Sequence, residues 1–153
     1  MKIAIHQPEH FPYLGFFQKM KAADIFVILD DVQFTKGNFQ HRNRFLNNKG
    51  KEEWFTIPLE KKPHHKCLID INLSSIKFCK EKLNITTPLI LSSDLEIKTK
   101  GSQKLTDICK ALAASEYLSG QGAKKYLDES IFNCKVSFFK PKIKNHYSIL
   151  QHI

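Results

Sequence analysis

Residues able to hold an anion or move a proton crowd the N-terminal third of the chain: His6 and Gln7, then Glu9 and His10, then Asp30 and Asp31, then Lys36, then Arg42, Asn43 and Arg44. An imidazole takes and gives a proton near neutral pH. A carboxylate within hydrogen-bond reach can orient that imidazole, act as a base or join a divalent cation. A guanidinium presents a fixed fork of donors that matches phosphate. Ser92-Ser93-Asp94 and Ser119-Gly120-Gln121-Gly122 add hydroxyls and glycine N–H groups of the kind that cradle phosphates. The reading that follows gives His6 and Asp31 to proton transfer. It gives Gln7, His10, Lys36, Arg42, Asn43, Arg44, Ser93, Ser119, Gly120 and Gly122 to substrate binding. Asp30 and Asp31, adjacent on a strand end, should point to opposite sides, which leaves Asp30 to a cap or to a lysine such as Lys36. His64, His65, His146 and His152 read as surface residues of loops or tail. No metal-ligand set at metal-site spacing stands out, so a divalent ion stays open without assigned ligands. No Ser–His–Asp signature, nucleophile elbow, Walker loop or HExxH string is present.

These groups need strands that end together. Lys2 to Ile5 reads as a short buried strand closed at Gln7-Pro8. Pro12 suits a first helical turn, and Leu14, Phe17 and Met20 then share a stripe. Ile25 to Leu29 is a continuous apolar run, as in a parallel strand buried on both faces. Strand, helix and strand in this order make a right-handed crossover unit, which puts His6 and Asp31 at one carboxyl edge, where open α/β sheets bind ligands. Arg42 to Phe45 and Glu53 to Leu59 read as a hairpin around Asn48-Lys49-Gly50, with Pro58 at an edge or end. The run KKPHHK reads as an exposed connection. Further on, the pattern predicts a helix carrying Leu73, Ile76, Lys80 and Leu83, a strand at Pro88 to Leu91, a helix capped by Ser102, a strand at Glu116 to Leu118, a helix over Ala123 to Ile131 with Tyr126 inward, and a strand at Lys135 to Phe139. This alternation predicts one α/β domain over 1–153, a three-layer α/β/α sandwich with a mostly parallel sheet, loosely nucleotidyltransferase-like or Rossmann-like, and an irregular, mobile tail over 140–153.

Composition narrows the classes. With 42% apolar and 25% charged residues the chain has a globular balance and not a disordered one. No apolar run approaches the roughly eighteen residues of a membrane span, and MKIAIHQPEH reads as a strand and not as a secretory signal. A cytoplasmic protein is expected, with its four widely spaced cysteines reduced. The net charge of +9 suits phosphate-bearing partners. Because the lysines are scattered, it leaves nucleotides, nucleic acids and acidic partners open.

Longer strings carry a family resemblance. IHQPEHFPYLGFFQKM, ADIFVILDDVQFTKGNFQHRNRF and WFTIPL are similar, in order and spacing, to the HQPxYxPxxGFFxK, LDDVQFxK, NRN and WLTVP pattern of the WbqC-like proteins. ITTPLILSSDL and LTDICKALAASEYLSGQGAKKYLDESIF resemble that family's TPIxLSSDL and LLDICKxLGAxxYLSGPxGxxYLD. The likeness spans most of Met1 to Phe139. Two departures stand out: His10 occupies a position where the family has an aromatic residue, and several tens of residues usual after the WLTVP-like strand are missing, Pro58 leading through KKPHHKCLID to Leu73.

Such proteins are typically encoded among genes for O-antigen and related surface sugars. The resemblance therefore implies a transferase of surface-polysaccharide or modified-sugar biosynthesis acting on a phosphate-bearing substrate such as a nucleotide-linked sugar. The strand-to-helix histidines also resemble those of HIGH-motif nucleotidyltransferases, where they steady a leaving pyrophosphate. Phe11, Phe39 and Trp54 beside the arginines suggest an alternative, a non-enzymatic domain that stacks on nucleic-acid bases or grips an acidic partner. The expected oligomeric state is open.

Overall fold

The computed structural model describes residues 1–59 and 65–153, without the side chains of 65 and 66. In chain order the elements are β1 (Lys2–His6), α1 (Leu14–Lys21), β2 (Ile25–Ile28), β3 (Arg42–Leu46), β4 (Glu52–Thr56), α2 (His65–Lys82), β5 (Leu89–Leu91), α3 (Gly101–Ala111), β6 (Glu116–Gly120) and β7 (Lys135–Phe139). The protein is α/β, as its alternating pattern indicates. Two compact units divide the chain: a sheet unit of Met1–His6, Lys19–Asp31 and Thr87–Pro141, and a hairpin unit of Gln7–Gln18, Val32–Thr86 and Lys142–Ile153.

The sheet unit is a five-stranded, all-parallel sheet in the order β5-β2-β1-β6-β7. Ile3, Ala4, Phe26, Val27 and Ile28 are wholly buried, so their strands carry no polar alternation. Ile3, Ile5, Val27 and Tyr117 share one face and pack with Ile108 and Cys109 of α3. Phe26 lies on the opposite face by the period of two. There the buried Lys19 ammonium stands 5.7 Å above its ring and donates to the Ile5 carbonyl at 3.1 Å. Helical residues thus flank both faces.

Two expectations fail here. Lys100, not Ser102, occupies the N-cap of α3, and it has no side-chain capping bond; Gly101 opens the helix at φ +59°, a left-handed value that glycine takes without steric cost. The helix expected over Ala123 to Ile131 is two 3₁₀ turns, Gln121–Lys125 and Glu129–Ile131. Asp128 accepts from the Ser130 N–H at 3.0 Å and starts the second turn afresh, which leaves Tyr126 75% exposed instead of inward.

In the hairpin unit β3 and β4 pair antiparallel, Arg44 opposite Trp54. Asn47 closes their turn by accepting from Lys49 and Lys51 N–H at 2.9 and 3.0 Å. Helix α2 begins well before the expected Leu73. Leu68, Asn72, Ser75, Ile76 and Cys79 form its buried stripe, and the two polar members disguise the period. The connection expected at 61–66 falls largely outside the described residues.

Side chains hold the irregular segment from Gln7 to Tyr13. Asn72, fully buried, donates to the Pro8 carbonyl at 3.5 Å and to the Gln40 carbonyl at 2.6 Å. Asn43, 1% exposed, donates to the His10 and Phe11 carbonyls at 3.2 and 2.9 Å. Phe11 sits at φ +40°, an unfavourable value for a bulky residue. Its N–H is accepted by Ser75 Oγ at 3.2 Å, and its carbonyl also accepts from Ser148 Oγ at 2.7 Å. The tail is irregular as expected, yet it is anchored and not loose. Ser148 and Ile149 are wholly buried, and their N–H groups donate to the Arg44 and Pro12 carbonyls at 2.9 and 2.8 Å.

Candidate functional site

The carboxyl edge of the parallel sheet gathers polar residues from four strand ends. His6 ends β1 in register with Ile28, so Asp30 and Asp31 follow just beyond it. Leu91 is in register with Ile28 in turn, which brings Ser92 and Ser93 alongside the two aspartates. Ser119 and Gly120 end β6 on the other side of β1.

Strand order reverses between β1 and β6. From β1 the chain steps to β2 and β5 on one side, then crosses to β6 and β7 on the other. Pairing between these two central strands stops at Ala4 and Leu118, although β1 continues to His6 against β2 and β6 continues to Gly120 against β7. The sheet therefore opens at the topological switch point, the place where open α/β sheets form a ligand crevice. His6 and the Ser119–Gly120 end flank that opening. Neither Gly120 nor Gly122 has a positive φ, and a Cβ at either would meet open space. Neither glycine is required by the backbone, so their effect is to leave positions 120 and 122 without side chains, next to a wholly buried Ser119.

Next to the opening lies a locked ionic cluster. Asp30 accepts from Ser93 N–H and Oγ at 3.0 and 2.6 Å and from Ser92 Oγ at 3.1 Å. Asp31 also accepts from Ser92 Oγ, and from Lys104 Nζ at 2.6 Å. Lys104, 6% exposed, donates in addition to the Ile97 carbonyl at 3.0 Å. Burial alone would raise the Asp31 carboxyl, but the bonds from Lys104 and Ser92 and the ammonium charge hold it below its ordinary value.

This cluster corrects two expectations. The aspartates do not face opposite sides, because β2 ends at Ile28 and strand alternation no longer governs them; both carboxylates reach one serine. Asp30 is occupied by Ser92 and Ser93, so a partnership with Lys36 is not what holds it. Lys104 went unassigned from sequence. The available signal was its place four residues before Ile108, a lysine on the buried stripe of α3.

The remaining expected residues belong to the hairpin unit. Gln7 accepts from the Gln40 amide at 3.2 Å. His10 packs edge-on against Phe11 and Phe55 at centroid distances of 4.9 and 5.7 Å, and burial lowers its pKa, partly offset by the Asn72 side chain. Asn43 is consumed in holding backbone, and Lys36 is exposed. The Arg42 guanidinium lies 4.6 Å above the Trp54 ring and donates to the Gly37 carbonyl at 2.7 Å. Arg44 lies 5.5 Å from the same ring and 5.8 Å from Tyr147, and pairs with Glu52 at 3.3 Å. Of the histidines expected at the surface, His64 and the side chain of His65 lie outside the described residues, and His146 and His152 are exposed.

Among the described residues no group of three or more His, Cys, Asp or Glu side chains could hold a metal ion, and no helix is long and apolar enough to cross a membrane. All four cysteines are free thiols, with Cys79 and Cys109 buried as their helical positions indicate.

Comparison with known proteins supplies the lineage. A protein of Mycobacterium tuberculosis described as "Uncharacterized protein Rv1507c" is 26% identical over 180 aligned residues, which cover 86% of this chain and 78% of that one. The alignment is longer than the chain itself, so the relative carries residues with no counterpart here. No solved structure matches the chain. The sequence model of the WbqC-like protein family matches residues 7–67 and 62–152, two pieces that meet where the shortened connection is read from sequence. The chain, matched over nearly its whole length, belongs to the WbqC-like protein family.

Proposed function

We propose that the protein is a transferase of surface-polysaccharide or modified-sugar biosynthesis that acts on a phosphate-bearing substrate, most directly a nucleotide-linked sugar. The observation that carries this reading is the opening of the sheet between His6 and Gly120. A crevice at a reversal of strand order suits a nucleotide. The Gly120–Gly122 turn suits its phosphates, since a Cβ at either glycine would meet open space and a ligand can approach the backbone there. His6, at the rim, is the group for proton transfer to or from the acceptor. Asp31 takes a different part from the one its sequence position suggests: held by Lys104 and Ser92, it fixes the wall of the crevice. Family membership supports the pathway, through the surface-sugar gene clusters in which such proteins are typically encoded.

A thermal-shift panel of nucleotide-linked sugars, run with and without manganese, tests this. At least one should raise the melting temperature of the native chain, and Gly122→Val, which puts a side chain in the turn, should abolish the rise. If no nucleotide-linked sugar shifts the native chain, or if Gly122→Val responds like the native chain, the reading is wrong.

The half-exposed Trp54, with Arg42 and Arg44 over its ring and Phe39 stacked 6.3 Å away at 20°, favours a second reading, a platform for single-stranded nucleic acid. Binding to oligonucleotides that weakens steeply with salt and is lost in Trp54→Ala would support it.

A further inference from the structure

Cys109 and Cys134 are separated in sequence by β6 and two 3₁₀ turns, yet the fold brings both to one face of the parallel sheet. Cys109 belongs to the buried cluster that α3 forms with Ile3, Ile5, Val27 and Tyr117, and Cys134 packs against that cluster. We propose that these two thiols are a redox modification site: a small disulfide of the glutathione class oxidises them to an internal disulfide that staples the end of α3 to the start of β7. The pair lies at the amino edge of the sheet, away from the crevice at the carboxyl edge, and shares no residue with it.

Two backbone anchors fix the pair. Helix α3 ends in a Schellman motif, in which the Ala113 and Ala114 N–H groups donate to the Lys110 and Cys109 carbonyls at 3.0 and 2.9 Å and Ala113 takes a left-handed φ of +49°. One residue later the Ser115 carbonyl accepts from the Lys135 N–H at 3.1 Å. Cys109 is thus bonded to Ala114, and Cys134 immediately precedes the residue bonded to Ser115. The period of two sets the side-chain direction. Val136 is in register with Tyr117, which shares the cluster with Cys109, so Cys134, two residues before Val136, faces the same helix. The Phe132 ring, stacked on Tyr117 at 5.4 Å and 10°, holds the segment leading to Cys134 on that face.

The two thiols differ in access. Cys134 is half-buried, whereas Cys109 is 3% exposed. Burial, and then the Cys134 side chain beside it, pushes the Cys109 thiol up to about 12. The thiolate is the attacking form, so Cys134 reacts first. Its sulfur attacks one sulfur of the small disulfide, the S–S bond between the two small thiols breaks, and one of them leaves. The Cys109 sulfur then attacks Cys134 Sγ, the mixed disulfide breaks, and the second small thiol leaves. Each leaving thiolate takes up a proton that a cysteine has given to water. Two protein thiols are oxidised and one small disulfide is reduced to two thiols, so electrons and protons balance. Cys67 and Cys79 cannot form such a bond with each other, because they lie on one helix about 18 Å apart along its axis at roughly 1.5 Å per residue.

The test uses the full chain carrying Cys67→Ser, which removes the exposed thiol of α2. After incubation with excess glutathione disulfide and blocking of residual thiols, peptide mass mapping should find Cys109 and Cys134 cross-linked, with the loss of two hydrogens, as the main oxidised product. The cross-link closes a loop that contains β6, so oxidation should raise the melting temperature by about 5–10 °C, and dithiothreitol should reverse the rise. With Cys134→Ser added, no cross-link should form and the oxidant should no longer shift the melting temperature. The mass mapping needs only the Cys67→Ser chain, so the test stands however well the second variant folds. A lasting glutathione adduct on Cys134 as the main product, a bond that involves Cys79, unreacted Cys109 and Cys134, or a cross-link that leaves the melting temperature unchanged overturns the proposal. Gly122→Val, which tests the sheet crevice, should leave cross-linking unchanged, so the two sites fail separately.

Discussion

In the sheet unit, His6, Asp31, Ser92 and Ser119 owe their positions to the ends of parallel strands, whose ladders are built from backbone alone. In the hairpin unit, Asn43, Asn72, Ser75 and Ser148 lie in or beside regular elements and spend their side chains on the backbone of an irregular segment. The same residue types thus do opposite jobs. At the sheet edge the strand ends place the polar side chains, the wholly buried Ser92 and Ser119 among them, and in the hairpin unit polar side chains hold the backbone in place. Removing His6 should change binding, and removing the second kind should cost the most stability.

The largest expected effect is in the hairpin unit. Asn43→Ala leaves the His10 carbonyl and the Arg44 N–H without their side-chain partner, and buried groups left this way cost about 1–3 kcal/mol each. A loss of about 3 kcal/mol in denaturant unfolding is expected; a change under about 1 kcal/mol would break the comparison. Lys104→Met comes next, with an expected loss of about 2 kcal/mol, because it strands the Asp31 carboxylate of a pair that is mostly buried. The folded pKa of Asp31 lies below its ordinary 3.8, so the pair's contribution is complete above that pH and is lost as pH falls below it. Lys104→Met should therefore flatten the acid limb of the stability curve, measured by thermal unfolding across pH.

Burial lowers His10 below its ordinary 6.5, so the unfolded chain takes up the proton first and stability should fall as pH drops below that value. His41, lowered by burial and by the Arg42 charge, adds to the same slope. In His10→Phe the slope should be shallower but still present, and unfolding at pH 7 and 5 measures it. The smallest effect belongs to Ser102→Ala. Since Lys100 holds the N-cap of α3, the change should stay within about 0.5 kcal/mol; a loss near 1 kcal/mol would mean that Ser102 caps the helix after all.

The same contrast explains what could be read from the amino acids. Buried parallel strands announce themselves as apolar runs, and Ile25 to Leu29 and Lys2 to Ile5 were legible for that reason. So was the hairpin, from its turn residues. The start of α2 was hidden because Asn72 and Ser75 interrupt its apolar period while pointing inward. The short-range pattern over Ala123 to Ile131 fits a helix, and the break comes from Asp128 bonding to Ser130. At the site, His6 and Asp31 were placed at one edge by topology. The role of Asp31 depends on Lys104, far along the chain, and the hold on Phe11 depends on the tail bringing in Ser148. Neither meeting leaves a local signature.

The central claim is that the parallel sheet opens at its carboxyl edge to take a nucleotide-linked sugar. A crystal of the full chain soaked with the nucleotide-linked sugar that most raises its melting temperature, with manganese present, tests it most directly. The account predicts density in the crevice between the ends of β1 and β6, its phosphates on the Gly120–Gly122 turn and its sugar beside His6. Density confined to the Trp54 face of the hairpin, or an empty crevice at saturating ligand, would contradict it.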